Sequence, residues 1–179
     1  MRNLADYAFS PLRNSDLTLY RGSGDGLPPI LLVTAENPSA GRLDRLEHEY
    51  ALRADLDAAW AARPLELSRY GNGLALVLEA PVGAAVLDRL LGRPLGITEF
   101  LRIATSLAGA LRQVHARGLI HKDIKPANIL LDVASGRVWL TGFGIASRLT
   151  RERPNLEPPD AIAGTLAYMA PEQTGRMNR

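Results

Sequence analysis

The sequence contains no cysteine, which excludes a disulfide framework and cysteine-ligated zinc and suits a reducing, cytoplasmic setting. It has no apolar stretch of membrane-spanning length, and Met1-Arg2-Asn3 leads into no signal-peptide hydrophobic segment, so no membrane segment or secretory leader is expected. An excess of one charge is also missing. The formal net charge is +2 and no run of Lys or Arg forms a patch, which argues against nucleic acid as a partner. There is no internal repeat and no low-complexity tract. What is there, 179 residues of which 46% are hydrophobic, suffices for one domain with a buried core.

The chemistry is concentrated in His121-Lys122-Asp123-Ile124-Lys125-Pro126-Ala127-Asn128, followed by the apolar run Ile129-Leu130-Leu131. An Asp at the start of such a loop can accept a proton from a substrate hydroxyl, and Lys125, two residues on, can reach a transferred phosphate. Asn128, five residues on, can offer a neutral oxygen to a divalent cation. The same residues also fit a basic loop after a helix, its polar side chains merely solvated. Two further blocks, Leu140-Thr141-Gly142-Phe143-Gly144-Ile145-Ala146-Ser147 and Gly164-Thr165-Leu166-Ala167-Tyr168-Met169-Ala170-Pro171-Glu172, follow in order and decide against that reading. With them the chain resembles the serine/threonine branch of the protein kinases, whose signatures are H-R-D-L-x-x-x-N, D-F-G and A-P-E. Lys122 stands for the arginine, Ile124 for the leucine, and Gly142 for the aspartate of D-F-G. The stretch from Gly164 to Arg179 resembles the kinase-like module at the N-terminus of large bacterial sensor proteins, where an ATPase region, a GAF domain and a histidine kinase follow it.

The resemblance implies a two-lobed α+β fold, with a small β-rich lobe over residues 1–80 and part of a helical lobe over 81–179. It implies ATP and Mg2+ as cofactors, and protein substrates or downstream signalling domains as partners. Asp123 would be the catalytic base, with Lys125 beside it and Thr165 placed to contact it. Asn128 would be a metal ligand, and Leu130 the apolar floor under adenine. Glu79-Ala80-Pro81 would be the hinge that holds adenine by backbone groups. In this family several helices follow A-P-E, yet the chain stops seven residues past Glu172, so a fragment of a longer sensor or a truncated reading frame is expected.

Along the chain, Tyr7 to Leu12, Leu17 to Tyr20 and Ile30 to Val33 read as strands. Gly22, Gly24 and Gly26 are placed as the turn between the second and third strands, where glycine supplies positive φ. The phosphate loop then falls on Arg13-Asn14-Ser15-Asp16, which has no glycine and carries a carboxylate where anions should bind. The strand lysine that pairs with nucleotide phosphates falls on or near Val33, and residues 27–37 contain no Lys or Arg. Ser39 to Asp57 reads as a helix capped by Ser39, with Leu43, Leu46 and Tyr50 on one face. Glu49, or else Glu47, takes the place of the lysine's carboxylate partner, and without the lysine is expected at the surface, as is His48. Leu65 to Tyr70 and Leu74 to Leu78 read as a hairpin around Gly71-Asn72-Gly73. Thr98 to Ala116 reads as a helix capped by Thr98, striped by Phe100, Ile103, Leu107, Leu111 and Val114, and ended by Gly118.

The phosphate glycines, the strand lysine and the metal-binding aspartate are missing together, so a pseudokinase-like signalling module is the leading expectation. The alternatives are an active kinase using Asp123 as base with Asn128 as its sole protein metal ligand, and a remnant without autonomous function. His121 is expected to be structural. Regulation through Ser147 or Thr150 would meet only the point charge of Lys122. The apolar face of the Thr98 to Ala116 helix is expected to need further helices, a partner, or aggregation to cover it.

Overall fold

The computed structural model describes residues 2–35, 39–71, 73–92, 94–149 and 164–171. Strands β1 (Ala8–Arg13), β2 (Thr18–Ser23) and β3 (Ile30–Thr34) open the chain and are followed by helix α1 (Ala40–Ala51). Strands β4 (Pro64–Tyr70) and β5 (Gly73–Glu79) form the hairpin, and all five strands join in one antiparallel sheet ordered β1-β2-β3-β5-β4.

Period-two alternation explains why β3 is buried along its whole length. Leu31 and Val33 point to one face with Leu19, Leu76, Leu78 and Leu46 of α1. Ile30 and Leu32 point to the other, where Tyr7, Ala75 and Val77 cover them. The N-terminal segment is thus a lid on the outer face of the sheet, while α1 and the second lobe cover the inner face. Gly24 to Gly26 form the turn between β2 and β3 as expected, with Gly26 at φ +69°, although Gly22 belongs to β2.

The second lobe starts with β6 (Ala85–Val86), a single 3-10 turn over Leu87–Leu90, and the 20-residue helix α2 (Ile97–Ala116). Strands β7 (Leu119–Ile120), β8 (Ile129–Leu131), β9 (Val138–Leu140) and β10 (Ser147–Arg148) follow, with β6-β8-β9 forming one small sheet and β10-β7 another. Its core gathers Ile103, Ala110 and Val114 of α2, Ile129, Leu131, Val138 and Leu140 of the strands, and Phe143. Trp60, from the connection after α1, packs edge-on against Phe143 at 6.4 Å between ring centroids. The same connection is clamped to β9, since Leu140 donates its N–H to the Trp60 carbonyl and accepts from the Ala62 N–H, both at 2.9 Å.

Three local expectations are corrected. Helix α1 stops at Ala51 and passes into a 3-10 turn over Leu52–Ala54, so the apolar Leu52 and Leu56 enter the core of the second lobe instead of extending the helix to Asp57. Ser39 occupies the N-cap position in an extended conformation, but its hydroxyl makes no capping bond. Thr98 lies inside the first turn of α2, whose N-cap is Gly96. Glu172 and residues 150–163, and with them Thr150, lie outside the described residues.

The outer face of α2 stays open: Ile97 is 71%, Phe100 51% and Leu101 52% exposed, whereas Phe143 is fully buried. Truncating Phe143 to Ala should therefore cost about 3–5 kcal/mol in urea denaturation, while Phe100→Ala should stay within about 0.5 kcal/mol of the parent. Similar losses for the two would contradict this packing.

Candidate active site

Helix α2 ends at Ala116 with Arg117 as its C-cap, and Gly118 turns the chain at φ +67°, which delivers β7 and then His121 to the base of the cleft between the lobes. The His121 ring is buried against Phe143, 4.5 Å between centroids. Its Nε2 faces the Thr141 carbonyl at 3.0 Å, and its Nδ1 accepts the Asp123 N–H at 3.2 Å. A neutral ring protonated on Nε2 satisfies both bonds, and burial lowers the pKa to about 4. His121 is thus a fixed strut, as the sequence led one to expect. Lys122 has a φ of +68°, a left-handed conformation that costs a non-glycine residue about 1 kcal/mol. That turn reverses the chain so that Asp123 faces the cleft.

Four of the expected site residues converge. Lys125 Nζ lies 2.8 Å from Asp123 Oδ2 and 2.5 Å from Thr165 Oγ1, and the Thr165 hydroxyl donates to Asp123 Oδ1 at 2.8 Å. Asn128, carried on the 3-10 turn Pro126–Asn128, donates Nδ2–H to both the carbonyl and the carboxylate of Asp123, each at 2.8 Å. Burial pushes the Asp123 carboxyl up. Hydrogen bonds from Lys125, Thr165 and Asn128, with the Lys125 charge, outweigh that and hold it below the usual carboxylate range.

Glu49 belongs to the same cleft and is not the surface carboxylate expected from sequence. It is 2% exposed and accepts the Gly142 N–H at 3.1 Å. Burial raises its pKa, opposed by hydrogen bonds from the Phe143 and Gly142 amides and by the charge of Arg13. Its neighbour His48 is exposed, as expected, and also places Nε2 2.7 Å from the Ala146 carbonyl. Helix α1 therefore grips the segment 142–146 at two points. Gly144 permits this close approach, since an added Cβ would sit 2.9 Å from Arg45 Cβ.

Arg13, at the end of β1, is a site residue that the sequence pattern marks only as a member of the loop 13–16. Its Nη1 donates to Asn128 Oδ1 at 2.5 Å and to the Ala127 carbonyl at 2.8 Å. Burial works against its charge while Glu49 and Asp123 favour it, and a guanidinium stays protonated in either case. The one available signal was Pro11, since proline within a strand marks an edge or a bulge.

Mg2+ does not fit these residues. Asn128 Oδ1, the oxygen it would use, already accepts from Arg13, and Asp123 is engaged by three donors. Gly142, at φ +81°, offers no side chain, and a Cβ there would meet Asn128 Cγ at 2.9 Å. Among the described residues no group of His, Asp and Glu is arranged to hold a metal. The remaining expected residues lie elsewhere. Leu130 is 1% exposed, in the buried cluster that holds Leu19, Leu31 and Leu78, so an adenine ring would have to part side chains already in the core. Glu79 is paired with Arg63 at 2.8 Å and, with Pro81, lines a separate cavity of about 410 Å³ beside Leu65 and Trp139. Asp123, Lys125, Asn128, Thr165 and Glu49 line a cavity of about 190 Å³ together with Arg13. Val33 is buried in the cluster that contains Leu46, on the face of β3 toward α1.

The profile of the family described as protein kinase domain matches residues 35–178. The serine/threonine-protein kinase PkaB of Streptomyces coelicolor is 29% identical over 170 residues, an alignment covering 89% of this chain and 40% of that protein. The serine/threonine-protein kinase Pkn1 of Myxococcus xanthus is 36% identical over 147 residues, covering 80% of this chain and 19% of that protein. The serine/threonine-protein kinase PAK 4 of Homo sapiens is 33% identical over 107 residues, covering 60% and 17% respectively. The chain thus spans less than half the length of these relatives.

The buried ring of His121 makes stability depend on pH. Its folded pKa of about 4 lies below the ordinary 6.5, so the contribution is complete above pH 6.5 and is lost as pH falls toward 4. Between pH 7.5 and pH 5 the loss should be about 2 kcal/mol. It is partly offset by Glu49, whose raised pKa favours the fold on acidification. His121→Gln should flatten that slope in urea titrations, and an unchanged slope would assign it to other groups.

Proposed function

The chain belongs to the protein kinase family and has its two-lobed α+β fold, and we propose that it is a non-catalytic, kinase-like signalling module. The carrying observation is at Gly142. The main chain there follows the path that Glu49 and Phe143 impose, but position 142 itself projects no carboxylate toward Asn128, and Val33 leaves Glu49 without a lysine partner from β3. Phosphoryl transfer depends on positioning and on neutralising the triphosphate by metal and lysine. Even outer-shell partners of a metal cost about 10–100-fold when removed, so loss of a direct carboxylate ligand costs at least that.

The module would work by contact, with a protein or a downstream signalling domain as its partner. A place at the N-terminus of a multidomain bacterial sensor is the context favoured by the wording from Gly164 to Arg179. The absence of cysteine favours a cytoplasmic setting. No helix among the described residues is long and apolar enough to cross a membrane. A second reading, weak phosphoryl transfer with Asp123 as base, draws on the intact hydrogen bonds among Asp123, Lys125, Asn128 and Thr165.

Thermal unfolding with and without millimolar Mg-ATP tests the proposal. A ligand at 100 times its dissociation constant stabilises by about 2.7 kcal/mol, so a non-binding module should unfold at the same temperature in both. It should also transfer no radiolabel from ATP to itself or to a generic protein substrate. A rise of several degrees, or labelling that Asp123→Asn abolishes, would overturn the reading in favour of the enzyme.

A further inference from the structure

Arg13 reaches the cleft because of a slip in strand register. Strand β1 pairs with β2 as Pro11 opposite Tyr20 and then Arg13 opposite Leu19, so Leu12 is an extra residue. Such a bulge turns the following side chain to the other face of the sheet. Leu19 belongs to the inner face and Tyr20 to the outer, so without the bulge Leu12 would oppose Leu19 and Arg13 would point outward. With it, Arg13 shares the inner face with Leu19 and spans to residues 127 and 128 of the second lobe.

A second arginine repeats the contact at the other end of the cleft. Arg21 of β2 pairs with Leu31, and its guanidinium donates to the Ala84 carbonyl, just before β6. In return Arg89, from the turn Leu87–Leu90, donates to the Pro11 carbonyl at 2.8 Å, next to the bulge. Between these points Leu19, Leu31, Leu78 and Leu130 are buried in one cluster.

We propose that Arg13 is the resident cation of this cleft: its guanidinium occupies the oxygen that a divalent ion would need and latches the sheet lobe to the loop 121–128, so that the lobes stay closed without nucleotide. The inference rests on the non-catalytic reading above and adds its physical cause. A cation 2.5 Å from Asn128 Oδ1 repels a metal ion and also pins the Asn128 side chain where a Gly142 substituent would collide with it. Restoring the missing carboxylate alone therefore does not restore metal binding. Arg13 must go as well.

Manganese titration followed by electron spin resonance tests this on the whole chain, with Gly142→Asp, Arg13→Met and the double variant. The double variant should bind manganese at least tenfold more tightly than either single variant, and any smaller gain overturns Arg13 as the barrier. Hydrogen exchange tests the latch without any ion. Arg13→Met should speed exchange across residues 121–131 at least tenfold, with Arg13→Lys, which keeps the charge but not the fork, in between. Unchanged exchange in Arg13→Met overturns the latch. If Arg13→Met does not fold, Arg13→Gln, which also removes the charge, carries both measurements with the same direction expected, and the absence of an effect in it overturns the proposal. Failure here is separable from failure of the non-catalytic reading. Mg-ATP stabilisation of the unmodified chain removes that reading, whereas a manganese site in Gly142→Asp alone removes only the role of Arg13.

Discussion

A carboxylate taken out of water has to be met by donors or charge, and the burial of Glu49 sets that condition for the whole cleft. Its donors are the amides of Gly142 and Phe143, so the segment after β9 must pass directly beside α1. Its nearby positive charge is Arg13, so the end of β1 must reach inward. Phe143 follows from the same constraint. With its amide held by Glu49, its ring drops into the core of the second lobe against Trp60 and His121. Helix, sheet edge and the 142–146 segment are thus joined at one buried carboxyl group.

The residues of the loop 121–128 keep their mutual bonds although position 142 is a glycine and position 33 a valine. Asp123 remains ionised because Lys125, Thr165 and Asn128 all hydrogen-bond it. One of these partners has a structural duty as well. Asn128 donates to the Asp123 carbonyl and so closes the loop on itself, and its carbonyl accepts the Thr141 N–H at 3.0 Å. A loop whose residues serve as its own scaffold keeps its geometry whether or not it transfers a phosphate, because replacing any one of them leaves buried donors or acceptors unpaired. Intact geometry in this loop is therefore by itself weak support for turnover.

The open end of α2 is governed by different physics. Its inner residues Ile103, Ala110 and Val114 are packed, but Ile97, Phe100 and Leu101 are not. A contiguous group of large apolar side chains at a helix start is the kind of surface that proteins cover by contact. The helix holds its place through β7 and β9 regardless, and the cleft does not depend on what covers that end.

The order of elements was legible in the chain because each rests on local regularity. The run Ile30 to Val33, the hairpin around Gly71 and the stripe of α2 each report a period of two or of about 3.6 over a few turns. The loop Asp123 to Asn128 was legible for a related reason, since five residues of separation fix which groups can meet. What the tertiary structure alone decided has long separations or depends on register. Glu49 and Gly142 are 93 residues apart, and Arg13 and Asn128 are 115 apart. Nothing in the helical stripe distinguishes a carboxylate that will be buried from one that will be solvated, because its donors come from another segment. Arg13 is the sharper case. A single extra residue in β1 transfers it from one face of the sheet to the other, and local pattern cannot specify a bulge that the pairing with β2 defines.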